Sequence, residues 1–207
     1  DASHLVLHRG RAAFVDTGTS HSVPGLLQAM ADRGISPEQV DYVFVTHVHL
    51  DHAGGAGALM QALPKAIAVV HPRGARHLAE PEKLIAGTRA VYGDEAFERM
   101  YGDIIPIPAE RIHVPEDGET LELAGRPLRV MFTEGHARHH YCLADPEGSG
   151  VFTGDSFGIS YRELDSDSGP FIFPTTTPVH FDPEAAHESV DRIMALAPTY
   201  LFPTHFS

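Results

Sequence analysis

The chain has 207 residues and is 43% hydrophobic, values that are ordinary for one globular domain. Its formal net charge of −13 argues against a broad nucleic-acid footprint, which requires clustered basic side chains. No apolar run approaches the length of a membrane span, and the single Cys142 excludes an internal disulfide and favours a reducing compartment. We therefore expect a cytoplasmic protein with a small-molecule partner and neither nucleic-acid nor membrane partners, with a homodimer as an alternative to a monomer.

Strands and helices alternate in the N-terminal half. Arg9-Gly10 marks a hairpin turn, and Gly34 ends a segment with helical spacing of apolar residues. The patterns predict strands at 5–8 and 12–15, a helix over 22–33, a strand at 43–45, a helix over about 56–63 and a strand at 66–70. Residues 73–102 are mostly helical in character and long for a connection, so we predict a lid-like insertion there.

Short apolar segments dominate after Pro106. They predict strands at 121–123, 128–132, 141–143 and 151–153, a Pro/Thr-rich loop at 170–178, a helix from 183 to 196 and a last strand at 200–202. Asp182 is a natural helix N-cap, and Pro183 is a natural first helical residue. The order predicts a single α/β domain over 1–207, with two sheets sandwiched between helices.

The most informative stretch is Thr46-His47-Val48-His49-Leu50-Asp51-His52, which directly follows an apolar strand. Three imidazoles and a carboxylate so close together are difficult to bury without a cation. His and Asp are the usual protein ligands of catalytic zinc, and iron or manganese accepts the same set. The stretch therefore predicts a metal site at the end of that strand.

Three later segments have the same form, in which a strand is followed by a sharp turn and a candidate ligand. They end in Gly135-His136, Gly154-Asp155 and Thr204-His205. Glycine allows the backbone to turn tightly and direct the next side chain inward. Each segment alone is weak evidence, but their order after the first motif makes a shared site the better interpretation.

These motifs resemble those of the metallo-β-lactamase superfamily over nearly the whole chain, from Asp16-Thr17-Gly18 to His205-Phe206. The resemblance implies a four-layer αβ/βα sandwich of two mixed sheets flanked by helices, with two divalent metal ions, most often zinc. It implies that His47, His49 and His136 hold the first metal. It also implies that Asp51, His52 and His205 hold the second, with Asp155 bridging the two and Asp16 supporting the metal loop.

Such a dinuclear centre would use a metal-bridging hydroxide to cleave a carboxylic ester, thioester or lactone, without a Ser or Cys nucleophile. Within the superfamily, the chain is similar to the glyoxalase II and lactonase branch. His139 departs from the glyoxalase II pattern, and Arg162 alone could serve as a glutathione-binding cation. Asp51 and His140 are the candidate catalytic residues, and Tyr161 and Arg162 are the candidate substrate contacts.

Other hypotheses remain open. One is a mononuclear iron oxygenase resembling the persulfide dioxygenases, in which His47, His136 and Asp155 would form the facial set. A metal-dependent phosphodiesterase of the same fold is another. A purely structural metal site is the third, although structural zinc sites are usually four-coordinate and rich in thiolates.

Overall fold

The computed structural model describes residues 1–206, which fall into two compact units. One unit comprises residues 3–115, and the other comprises residues 1–2 together with the chain from 116 onward. Each unit is built around one five-stranded sheet of mixed strand direction. Within the described residues, no helix is long and apolar enough to cross a membrane.

The first unit carries most of the helices. Its elements are β1 (His4–His8), β2 (Arg11–Val15), α1 (Val23–Ala31), β3 (Val40–Val45), α2 (Leu50–Ala53), α3 (Ala56–Ala62), β4 (Ile67–Val70), α4 (Pro72–Ala79), α5 (Glu82–Tyr92), α6 (Asp94–Tyr101) and β5 (Ile112–His113). The sheet order is β1-β2-β3-β4-β5, in which only the β1–β2 pair is antiparallel.

The core of the first unit forms where α1 and α3 pack on this sheet. Met30 of α1 and Leu59 of α3 are buried with Phe14, Val43 and Val45 of the central strands. Burial of these large apolar side chains supplies the main favourable term in folding. The parallel strands β2, β3 and β4 consequently end at one buried edge, where Asp16, Thr46 and His71 follow them.

The second unit begins with an antiparallel meander. Its elements are β6 (Thr120–Leu123), β7 (Arg126–Phe132), β8 (Tyr141–Asp145), β9 (Gly150–Gly154), β10 (Ile159–Ser160), β11 (Ile172–Phe173), α7 (Pro183–Ala195) and β12 (Tyr200–Pro203). The main sheet has the order β12-β9-β8-β7-β6, with β12 parallel to β9 and the other pairs antiparallel. Strands β10 and β11 form a separate two-stranded ribbon.

Helix α7 covers one face of the second sheet. Its Ile193 is fully buried against Met131, Cys142 and Val151. The helix begins as predicted, because the Asp182 carboxylate accepts hydrogen bonds from the backbone of Glu184 and Ala185 at 3.1 and 3.2 Å. Cys142 is a core residue, as the sequence predicts.

The main predicted strands and helices are confirmed within a few residues at their ends. The helical stretch predicted over 73–102 consists of three helices, separated at Pro81 and Gly93. The predicted loop at 170–178 contains the strand β11, and the two-residue strands β5, β10 and β11 were not predicted. Strands that short leave no alternating pattern from which they could be recognised.

Candidate metal centre

The first ligand cluster lies at the end of β3. Val43, Phe44 and Val45 are fully buried, and His47 follows them with 0% of its surface exposed. His47 Nε2 lies 2.9 Å from His49 Nδ1, while His47 Nδ1 lies 3.2 Å from the Thr46 hydroxyl. The two ring nitrogens therefore converge, and the Thr46 hydroxyl contacts the other nitrogen of the His47 ring.

Asp16 connects β2 to this cluster. It has a left-handed backbone, with φ of 57°, a conformation that Asp adopts more readily than most residues. Its carboxylate accepts hydrogen bonds from Thr46 N at 2.8 Å and from the Thr46 hydroxyl at 2.9 Å. The same carboxylate lies 2.8 Å from His52 Nδ1. A carboxylate on one ring nitrogen fixes the tautomer and leaves Nε2 with its lone pair, as in many metal sites.

Asp51 is a partly exposed member of the first cluster. Its side chain is 37% exposed, and its Oδ2 lies 3.7 Å from His52 Nε2. Burial raises the pKa of the nearby Tyr101 to about 12, with smaller contributions from Tyr92 and from the Asp51 carboxylate. Tyr101 is therefore a neutral phenol at physiological pH, and no motif in the sequence predicts a role for it.

The second cluster lies at one edge of the second sheet. Strands β7, β9 and β12 run in the same direction, so His136, Asp155 and His205 follow strand ends at that edge. His136 Nε2 lies 3.3 Å from Asp155 Oδ2, and His205 Nε2 lies 3.4 Å from Asp155 Oδ1. Each carboxylate oxygen of Asp155 thus faces one imidazole, an arrangement suited to a bridging ligand.

Both imidazoles of the second cluster are oriented through their other nitrogen. His136 Nδ1 lies 3.1 Å from the Thr175 carbonyl oxygen, which can only accept a hydrogen bond. His205 Nδ1 lies 2.8 Å from Asp1 Oδ1. Because both partners can only accept, each ring donates from Nδ1, and each Nε2 faces Asp155.

His140 supports the loop that carries Asp155. It is fully buried, and its Nε2 accepts a hydrogen bond from Asp155 N at 3.1 Å. Its Nδ1 lies 2.9 Å from the Thr133 hydroxyl and 3.0 Å from the Ser156 hydroxyl. These contacts favour a positioning role over contact with substrate, and the catalytic assignment of His140 stays a prediction.

Thr175 was missed by the sequence analysis. Its carbonyl orients His136, and its hydroxyl donates a hydrogen bond to the Asp155 carbonyl at 2.7 Å. Thr175 is buried although it lies in the Pro/Thr-rich loop. The only signal in the sequence was the unusual composition of that loop, which does not indicate which threonine turns inward.

Two glycines allow these arrangements. Gly135 has φ of 126°, and a Cβ built on it would overlap the backbone of Ala186 in α7. Gly154, with φ of 49°, turns the chain from β9 directly into Asp155. Side chains at either position would displace the ligand that follows.

The two predicted substrate contacts, Tyr161 and Arg162, are placed less favourably for contact with a substrate beside the second cluster. The Arg162 side chain is 75% exposed and lies 3.8 Å from Asp165. Tyr161 stacks on Phe173 with ring centroids 5.6 Å apart. Within residues 1–206, neither lines the cavity that adjoins His136 and Asp155. Their role as substrate contacts stays a prediction.

The donor chemistry of both clusters fits a metal. Neutral ring nitrogens and carboxylate oxygens suit zinc, and they also suit iron and manganese. In four of the five histidines, Nδ1 has an oxygen partner and Nε2 faces the cluster, while His49 presents Nδ1 to its neighbour. Both units therefore carry a His/Asp cluster with the properties of a metal-binding site.

Comparison with known proteins agrees with the fold and the motifs. The family model of the metallo-beta-lactamase superfamily matches residues 2–205. A metallo-beta-lactamase fold-containing protein of Sulfurisphaera tokodaii is 29% identical over 91% of this chain and 72% of its own length. A hydroxyacylglutathione hydrolase of Synechococcus sp. is 30% identical over 70% of this chain, and the match spans 43% of that enzyme. The chain therefore covers less than half the length of that hydrolase.

Solved structures show the same fold. An archaeal metallo-beta-lactamase superfamily protein from Sulfolobus tokodaii has a TM-score of 0.76 and 28% identity, covering 98% of this chain and 73% of its own. A metallo-beta-lactamase family protein from Thermus thermophilus has a TM-score of 0.64 and 26% identity, covering 99% and 68%. The two mixed sheets with flanking helices confirm the predicted α/β fold. By its motifs, its elements and its family match over nearly its whole length, the chain belongs to the metallo-β-lactamase superfamily.

Proposed function

We propose that this protein is a dinuclear metal-dependent hydrolase that cleaves a carboxylic ester, a thioester or a lactone. The observation that carries the proposal is the Asp155 carboxylate, whose two oxygens each face one imidazole nitrogen. Superfamily membership supports metal-dependent hydrolysis in general, and the choice of reaction and metal is our inference.

The family pattern supplies the assignment of ligands. We assign His47, His49 and His136 to the first metal, Asp51, His52 and His205 to the second, and Asp155 to both. In this proposal the two clusters form one shared centre, as the family resemblance implies. Zinc is the proposed metal, because catalytic zinc sites are typically built from His with a carboxylate.

Metals held in this way would lower the pKa of a bound water to about 7, which makes hydroxide available at neutral pH. The chain's own contribution is to keep the ligands oriented. Asp16 and the Thr175 carbonyl each bind an N–H of an imidazole, which leaves Nε2 of His52 and of His136 as lone-pair donors. Asp51, the accessible carboxylate, is the candidate to accept a proton during turnover.

Relatives narrow the reaction class. One relative is named a hydroxyacylglutathione hydrolase, and an atrochrysone carboxyl ACP thioesterase of Aspergillus fumigatus is 27% identical over 57% of this chain. Both names describe cleavage of an acyl thioester in those proteins. We extend acyl cleavage to this chain as a proposal, with a small-molecule substrate.

Turnover of a substrate panel tests the proposal. Metal-replete protein should hydrolyse at least one class among aryl esters, thioesters and lactones, and Asp155→Ala should abolish that activity. Asp32→Ala is the matched control, because Asp32 is an exposed acid at the end of α1. Activity that survives Asp155→Ala, or protein that contains iron and consumes oxygen with a persulfide, would contradict the proposal.

A further inference from the structure

A cavity of about 410 Å³ adjoins the second ligand cluster. His136 and Asp155 form part of its wall, so a group bound there lies beside the metal ligands. The volume is within the range of roughly 300–1,000 Å³ that is typical of small-molecule sites. The cavity belongs entirely to the second unit.

The walls of this cavity are mainly apolar. One wall is the face of α7 that carries Pro183, Ala186 and Val190, at helical spacing. The facing residues come from the segment between Asp155 and α7, and those with apolar side chains are Phe157, Ile172, Phe173, Pro174 and Phe181. Aromatic and branched side chains on both walls favour a hydrocarbon group over a polar one.

The charges around the cavity disfavour an anionic occupant. Glu134 contributes a carboxylate to the lining, and none of the described lining residues is Lys or Arg. Among the described lining residues outside the ligand cluster, His187 alone could become positively charged. A glutathione group, which carries carboxylates, would meet no matching cation among these residues.

We propose that this cavity binds the hydrocarbon arm of the substrate and so sets its class. The inference rests on the proposed hydrolase function and deepens it. The preferred substrate is an ester or thioester with a medium-length aliphatic or aromatic group, and not a glutathione thioester. Val190 and Phe181 line the cavity, and in this proposal they limit the arm that is accepted.

Two ester series test the proposal and separate the two halves of the substrate. In one series the acyl group grows from acetyl through butyryl to octanoyl with a fixed p-nitrophenyl leaving group. In the other series the alcohol grows with a fixed acetyl group. In one of the two, kcat/KM should rise by about fourfold for each added CH₂ until the cavity is filled.

Variants of α7 identify the cavity as the cause. Val190→Phe should lower the ratio of kcat/KM for the longest ester to that for the shortest ester of the responsive series at least tenfold, because the larger ring occupies the space. Val190→Ser, which adds no volume, should flatten the dependence on chain length. Met194→Phe is the matched control on the same helix, since Met194 is 52% exposed and does not line the cavity.

Calorimetric binding of octanoate and acetate to the same metal-replete proteins supplies a readout that requires no turnover. Octanoate should bind at least tenfold more tightly than acetate, with a negative heat-capacity change that Val190→Phe abolishes. Hydrolysis with no dependence on chain length in either series would overturn the cavity proposal and leave the hydrolase function intact. If no substrate is hydrolysed, the proposed function fails, and equal binding of octanoate and acetate would overturn the cavity proposal as well.

Discussion

The orientation of several histidine rings in this protein is set by the group that binds the nitrogen facing away from the cluster. Asp16, the Thr175 carbonyl and Asp1 each lie within 3.1 Å of an Nδ1 atom. Such partners fix the ring orientation and raise the basicity of the ligating nitrogen. We therefore expect the residues around the proposed ligands to affect metal affinity.

Asp16→Asn tests this principle. Asn tolerates the left-handed backbone at this position, and its carbonyl can still accept from Thr46 N, so the fold should persist. The His52 N–H loses its anionic partner, and metal affinity should fall about 10–100-fold in a competitive chelator titration. Asp32→Asn should bind metal like the unmodified protein, and an Asp16→Asn variant with unchanged affinity would remove Asp16 from the site.

His140→Ala distinguishes a positioning role from direct contact with substrate. The variant leaves Asp155 N without its acceptor, so the Asp155 loop should loosen and metal affinity should fall. We expect lower kcat together with weaker metal binding, measured by steady-state kinetics and chelator titration. His180→Ala, at an exposed histidine, is the control. A rise in KM with unchanged metal affinity would instead assign His140 to the substrate.

At the scale of elements, strand direction explains how distant residues meet. His136, Asp155 and His205 are separated by many residues in the sequence, and they converge because β7, β9 and β12 run in the same direction in one sheet. The sequence allowed this prediction, because each ligand follows a recognisable apolar strand. Thr175, Thr133 and Ser156 could not be predicted, since their contacts depend on how loops fold back over the sheet.

The start of α7 contributes a measurable share of stability. Asp182 accepts two backbone N–H groups there, and its own N–H binds the Gly135 carbonyl beside His136. Asp182→Ala should lower the free energy of unfolding by about 1 kcal/mol in chemical denaturation. Asp182→Ser should restore most of it, because Ser is an equally good N-cap. Equal loss in both variants would show that the cap is not the cause.

An ion pair between Arg126 of β7 and the buried Asp145 of β8 joins these two strands. Asp145 is 3% exposed and accepts from Arg126 Nε at 2.9 Å and also from Arg126 Nη2. The hydrogen bonds to Asp145 raise the pKa of Arg126, so its guanidinium is charged at neutral pH.

Arg126→Ala would leave that carboxylate buried without its cation. We expect a loss of about 3 kcal/mol in the free energy of unfolding. Arg76→Ala, which removes a solvent-exposed ion pair with Glu80, should cost less than about 0.5 kcal/mol. Equal effects of the two substitutions would contradict the buried-pair account.

For the whole molecule, the sequence was sufficient for the family, because His47 to His52 form one contiguous motif and the later candidate ligands follow in order. The assignment of the ligands to two metals stays a prediction. The sequence was insufficient for the cavity, whose walls come from α7 and from a loop without a periodic pattern. Tyr101 was missed for a similar reason, since its proximity to Asp51 arises from the placement of α6.

Metal content of the purified protein tests the central claim most directly. Elemental analysis should find about two zinc ions per chain, as a dinuclear hydrolytic site requires. The Asp155→Ala variant should lose metal, while the Asp32→Ala control should retain it. One iron per chain, or zinc that Asp155→Ala leaves in place, would contradict the account.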